Sequence, residues 1–243
     1  MAVGRIAGLC TLVCLLLIRG ADAQAPLLIA TEDAPPLNYL ENGELIGPSA
    51  DLVRALAQRA EVPVTIDVLP WARAYQQALD RPDNCVFSTT ITEQRRPLFK
   101  WVGPLMQYDW VVYGRAGTPI ELHAIEDAKA YVIGVYRGDS VEAYLEGLGG
   151  FHLNVAQDFV GGLRQLSAGR VDLFAGPRGA QHIVKREGLA DLKELLVIGS
   201  MPVGLACNRA VPDATIGKLQ AALEAMEADG KAGEIRRIYQ SGL

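Results

Sequence analysis

From Leu27 onward, short runs of β-branched and apolar residues alternate with longer segments in which apolar positions recur every three to four residues. That alternation predicts βαβ units on a largely parallel sheet. Strands are predicted at residues 27–31 (LLIAT), 64–68 (VTIDV), 85–89 (CVFST), 110–114 (WVVYG), 131–136 (YVIGVY), 151–155 (FHLNV), 171–175 (VDLFA) and 203–207 (VGLAC). Between the first two, Leu52, Val53, Leu56 and Ala60 share one face of a helix that Ser49 can cap and that runs through Arg59. Further helices are predicted over 71–79, 140–146, 158–168 and 178–187. A long one over 213–229 has Asp213 as its cap and Gly230 as its stop, and a short one over 234–240 closes the chain.

Two Gly/Pro punctuations interrupt this pattern, Gly103-Pro104 and Gly199-Ser200-Met201-Pro202. Each lies between strands that can belong to different lobes. One outward and one returning crossing build a first lobe from residues 24–106 plus 203–243 and a second from 107–202. Two α/β lobes joined in this way leave a cleft, a common seat for a small ligand. No internal repeat, low-complexity tract or long linker argues for beads on a string.

The amino terminus follows a different pattern. Residues 1–23 carry an early cation at Arg5, a 13-residue apolar run from Ile6 to Ile18 and the small-residue pattern Ala21-Asp22-Ala23. This is the layout of a secretory signal peptide cut after Ala23, and the run is shorter than the ~20 residues that span a bilayer. Of 243 residues with 23 Lys+Arg and 28 Asp+Glu, removal of the leader leaves a net charge of −6. An acidic chain without a basic face excludes a nucleic-acid groove. Cys10 and Cys14 leave with the leader. The remaining pair, Cys85 and Cys207, reads either as one disulfide of an exported protein or as two buried thiols. His123, His152 and His182 form no HxxxH or HExxH pair, and the phosphate-cradling glycine loops and the GxSxG elbow are absent, so no metal and no cofactor is expected.

The stretch FSTTITEQRRPLFKWVGPL (87–105) resembles the central motif of the family 3 periplasmic solute-binding proteins, the amino-acid-type receptors of ABC importers. PPLNYLENGELIGPSADLVRAL (35–56) is similar to that family's opening loop and first helix. GVYRGDSVEAY (134–144), SAGRVDLFAG (167–176) and the Asp229-Gly230 ending resemble its second-lobe and carboxy-terminal signatures. The resemblance implies an α/β, two-lobed periplasmic binding protein fold of type II, with two mixed sheets joined by a two-crossing hinge. It also implies a monomer that presents a small-molecule ligand to a membrane ABC permease. In that sheet order the strands 85–89 and 203–207 lie side by side, which implies a Cys85 to Cys207 bridge.

Carried over by motif, Arg95 is the residue that holds a ligand carboxylate, since a guanidinium fork matches a carboxylate bidentately. By spacing alone it reads rather as a solvated helix-start charge paired with Glu93. Ser88 and Thr90 fall at positions that reach the same carboxylate, or else cap the next helix. Glu32 and Tyr39 stand where the family places a selecting acid and an aromatic lid; Tyr39 also reads as a core plug. Trp71 belongs to a PWxR variant and is either packing or contact, and Ser140 opens a helix whose N–H groups suit an anion.

One departure matters. Family members that bind α-amino acids place an acid for the ligand's ammonium where this chain has Gly176-Pro177, followed by Arg178. A buried ammonium without a carboxylate partner costs several kcal/mol. Arg178 then reads as a second anion-binding group or a surface charge, and Glu32 as the remaining acid for an ammonium. Two further readings keep the fold: an enzyme resembling cyclohexadienyl dehydratases, with Glu32, Glu142 or Asp172 as general acid, and a ligand-sensing partner of a membrane receptor kinase.

Overall fold

Each of the eight predicted strands is found in the computed structural model, which describes residues 25–240; the leader assigned to 1–23 lies outside them. The order is β1 (Leu27–Thr31), β2 (Tyr39–Glu41), β3 (Glu44–Ile46), α1 (Pro48–Arg59), β4 (Val64–Val68), α2 (Trp71–Asp80), β5 (Asn84–Thr90) and β6 (Lys100–Arg115). Then come β7 (Val132–Tyr136), α3 (Ser140–Leu148), β8 (His152–Ala156), α4 (Phe159–Ser167), β9 (Leu173–Pro177), α5 (Ala180–Arg186), β10 (Leu192–Cys207), α6 (Asp213–Ala228) and α7 (Lys231–Gln240).

The strands lie in the order β4-β1-β5-β10-β6-β9-β7-β8, with β2 and β3 forming a separate hairpin. β1 runs parallel to β4 and β5, and β7 parallel to β8 and β9. These two parallel groups are the sheets of the two lobes. β6 and β10, 16 residues each, pair antiparallel along their whole lengths and belong to both groups. The sheets expected to be joined by a hinge are therefore continuous through it. Gly103-Pro104 and Gly199–Pro202 lie inside strands and not between them, because the ladder shifts register between Val203 and Leu205 and again between Val197 and Gly199. Pro104 falls in the bulge between the pairs Val102–Leu205 and Met106–Val203, where the N–H that proline lacks is not needed, whereas Pro202 keeps register opposite Gln107.

Apolar side chains gather in three cores. One packs α1 and α6 on the β1 side through Ile29, Leu52, Leu56 and Leu219; another packs α3 against β7 and β9 through Ile133, Val141, Leu145 and Leu173. The third reaches across both groups, from Trp71 and Val86 to Tyr136, Phe159 and Phe174.

The two predicted amino-terminal caps resolve differently. Gly47 holds the cap position of α1, with Pro48 at its first turn, where proline's missing N–H costs nothing. Ser49 lies within the helix, and its hydroxyl donates to Met106 Sδ at 3.6 Å. Pro212 precedes α6, and Asp213 pairs with Lys100 at 2.5 Å. Asp158, the first residue of the helix predicted over 158–168, caps α4, accepting from Gly161 N at 2.7 Å. Cys85 and Cys207 are direct partners across β5 and β10, fully buried and joined by a disulfide.

Candidate functional site

Parallel neighbours deliver their carboxyl ends to one edge, and ligand sites of open α/β sheets form there. β1 brings Glu32 and the loop after it; β5 brings Ser88, Thr89 and Thr90. Ser88 sits at φ 57°, a left-handed conformation rare for a residue with a side chain and common at functional sites. Its hydroxyl donates to Asn38 Oδ1, and Asn38 Nδ2 donates to Thr31 Oγ1 (2.9 Å) and to the Glu32 carbonyl (2.6 Å). Asn38 thereby ties the β1 loop to the end of β5.

Arg95 completes this first wall. Its backbone N–H donates to Thr92 Oγ1 at 3.2 Å, and its guanidinium carbon lies 5.4 Å from the Trp71 ring centre and 5.0 Å from that of Tyr75. Two aromatic faces thus hold a cation that is only 8% exposed.

The facing wall comes from the end of β7 and the start of α3. Asp139 is the cap of α3, accepting from Val141 N at 3.1 Å, a role the sequence reading gave to no residue. The Gly138 carbonyl accepts from both Arg95 Nη2 (2.9 Å) and Trp71 Nε1 (2.8 Å). Ser140 Oγ bonds Thr90 Oγ1 at 3.1 Å, and the Tyr136 hydroxyl donates to Glu32 Oε1 at 3.3 Å. At the rim, Arg186 pairs with Asp33 at 2.7 Å, and the rings of Tyr39 and His182 meet at 4.7 Å.

Between the walls is a cavity of 20 Å³, room for about one water, bounded by Trp71, Ser88, Thr90, Arg95, Tyr108, Trp110, Tyr136, Asp139 and Pro177. It adjoins a groove of 520 Å³ that shares Arg95 and Trp110 and extends past Ser140 and Tyr144 to Ile198. The Tyr108 hydroxyl is buried with no hydrogen-bond partner among the described residues. Burial, reinforced by the nearby Asp139 carboxylate, pushes Glu32 up from 4.5 to about 8. Burial also raises Asp139, against the opposing pull of Arg95.

Of the expected ligand residues, Arg95, Ser88, Thr90 and Trp71 line the cavity, Ser140 stands at its edge in the groove, and Glu32 touches it through Tyr136. Tyr39 and Arg178 do not line it. Tyr39 stacks at the rim; Arg178 pairs with Asp109 (2.6 Å) and Glu194 (2.8 Å). Of the acids named for general-acid chemistry, Glu142 accepts from Gly138 N at 2.5 Å and Asp172 from Val132 N at 2.9 Å, both outside the cavity. Sequence reasoning missed Tyr108, Trp110, Tyr136 and Asp139. The Asp-Ser pair before a helical run signals the cap, but nothing local marks the three aromatics as lining.

Residues 27–241 match the profile of the bacterial extracellular solute-binding proteins, family 3. The chain belongs to that family. As a family 3 member it also has the expected neighbours among solved structures. A histidine kinase sensor domain with similarity to periplasmic binding proteins superposes with a TM-score of 0.81 at 19% identity, covering 88% of this chain and 95% of that one. The arginine-, lysine-, histidine-binding protein ArtJ from Geobacillus stearothermophilus gives 0.79 at 21%, over 88% and 95%. An ancestral arginine-binding protein bound to arginine gives 0.77 at 24%, over 88% and 97%. At these identities the likeness establishes the two-lobed fold. Compared with curated proteins, the sequence finds no match.

Proposed function

We propose that this family 3 protein is a non-enzymatic periplasmic receptor that captures a small polar ligand bearing a carboxylate between its lobes and presents it to a membrane ABC permease. It is exported as a monomer by a leader removed after Ala23. The lobes are residues 24–106 with 203–243, and 107–202, hinged where Met106 pairs with Val203. One observation carries the reading: Arg95 is buried at the carboxyl end of β5, beside the Ser88 and Thr90 hydroxyls and opposite the amino end of α3. Such a set of donors suits a carboxylate.

A thermal-shift screen over amino acids, dicarboxylates and polyamines finds the ligand, since binding to the native state raises apparent stability. Arg95→Ala is then expected to weaken its binding about 100-fold in calorimetry, from the loss of charge-assisted bonds of about 1.5–3 kcal/mol, while the protein still melts cooperatively. Undiminished affinity overturns the assignment.

The likeness to a histidine kinase sensor domain supports a second reading, with a receptor kinase in place of the permease. Deleting the gene separates the two: loss of ligand uptake fits the permease, and loss of a ligand-induced response with uptake intact fits the kinase.

A further inference from the structure

The wall at the end of β9 cannot supply an acid. A Cβ at Gly176 would stand 2.8 Å from Phe174 Cε1, and Pro177 offers the site only its ring, its carbonyl being taken by the Tyr113 hydroxyl at 3.0 Å. The acids that are present have their near oxygens engaged. Asp139 accepts from Val141 N and from Ser140 Oγ (3.4 Å), and Glu32 accepts from Tyr136. Asp139 keeps a charge beside the cavity, but both of its oxygens already hold a donor, and Glu32, held protonated in the closed form, adds no charge. A primary ammonium has three N–H donors to satisfy and is badly matched to such a place. A methylated ammonium has few or none, and its charge is well received by aromatic faces. The cavity is walled by Trp71, Tyr108, Trp110 and Tyr136. Trp71 and Tyr75 already hold the Arg95 cation in that manner.

We propose that the ligand is a small carboxylate carrying a methylated ammonium, its cationic end received by the aromatic wall of Trp71, Tyr108, Trp110 and Tyr136 beside the Asp139 carboxylate. This rests on the carboxylate reading of Arg95. The two site charges, Arg95 and Asp139, match the two ends of a zwitterion. At 20 Å³ the cavity is smaller than any such ligand, so entry parts the walls and replaces contacts such as Arg95 to the Gly138 carbonyl.

The test is calorimetric titration of the mature protein with glycine, N-methylglycine, N,N-dimethylglycine and N,N,N-trimethylglycine. Affinity is expected to rise along the series, at least tenfold from first to last. Asp139→Asn is expected to weaken the last member about tenfold, and Tyr136→Phe, which keeps the ring, to weaken it less than threefold. Affinity that is flat or falls with methylation, or no heat from any member at millimolar concentration, overturns the proposal. A carboxylate-free trimethylammonium alcohol tests the other end. If it binds as tightly as trimethylglycine, the carboxylate reading of Arg95 falls while the aromatic site stands.

Discussion

The two walls of the cleft are made of different materials. The first, from β1, β5 and Arg95, is a set of strand ends laced by Asn38 and carrying hydroxyls and a cation. The second, from β7 and α3, is a helix start carrying a carboxylate, a backbone carbonyl and a tyrosine. Closing them sets donors against acceptors: Arg95 and Trp71 meet Gly138, and Tyr136 meets Glu32. A ligand favours the closed state only by its differential affinity for it, so it must improve on contacts the protein makes with itself. The supports differ too. The first wall rests on a lobe tied by the Cys85 to Cys207 disulfide, and among the described residues the second has no such tie.

That asymmetry gives the largest expected effect. The bridge closes 122 residues of chain, for which chain-entropy reasoning gives roughly 4–5 kcal/mol and measured bridges typically 2–4. Cys85→Ala with Cys207→Ala is expected to lower Tm by about 10 °C. Hydrogen exchange should quicken in β1, β4 and β5 before β7 and β8. Uniform loss of protection in both lobes would show that the supports do not differ.

Next is the approach of the walls at Gly179. This residue has φ +101°, and a Cβ there would collide with Pro36 Cδ and stand 2.9 Å from Pro35 O. Gly179→Ala should hold the cleft ajar, weakening ligand binding tenfold or more and increasing the radius of gyration in small-angle scattering. An unchanged radius and affinity would mean that the loop at Pro35-Pro36 yields.

Much of this was legible in the sequence because periodicity records burial. The strands 27–31 and 64–68 were read with their observed limits, the first because it is buried except at Leu28 and appears as a plain apolar run, the second because an edge strand alternates half-buried apolar with exposed polar positions. The β2–β3 hairpin was missed although Asn42-Gly43 is a strong turn signal, because the flanking strands are three residues each and half-exposed. The lengths of β6 and β10 were missed because bulges hide an unbroken ladder behind glycine and proline. In the site, Arg95, Ser88 and Thr90 came from a motif contiguous in sequence. Tyr108, Trp110 and Tyr136 reach the cavity from two different strands, and no local spacing records that meeting.

A smaller effect comes from Glu32, an acid of the first wall that accepts from Tyr136 of the second. In the closed form its carboxyl is pushed up to about 8, by burial first and by Asp139 next, with Asp33 and Asp158 adding to this and the Tyr136 hydroxyl opposing. The closed form therefore holds a proton that the solvated acid gives up near 4.5. Stability is greatest below that value and falls as pH rises towards about 8, after which the slope vanishes. Glu32→Gln should remove this slope. Tm of wild type should fall by several degrees between pH 5 and 8 relative to the variant, and parallel pH profiles would show that Glu32 ionises in the closed cleft as it does in water.

The smallest effect belongs to the rim. Arg186 and Asp33 meet at 2.7 Å with about a quarter to a third of each side chain exposed, 30% and 26%, so solvent screens the pair. Partly exposed pairs contribute about 0–1 kcal/mol. Arg186→Ala should lower Tm by no more than about 2 °C and ligand affinity by less than threefold, and most of that difference should vanish at 1 M salt, where the screening length is about 3 Å. The substitution also takes Arg186 away from Glu187, 3.5 Å from it, which keeps its partner Arg164 at 2.7 Å. Asp33→Ala isolates the contact across the cleft. If both variants weaken binding equally and salt abolishes both effects, the rim acts as a screened electrostatic latch; a larger, salt-insensitive loss in either would show that closure depends on packing there, as it does at Gly179.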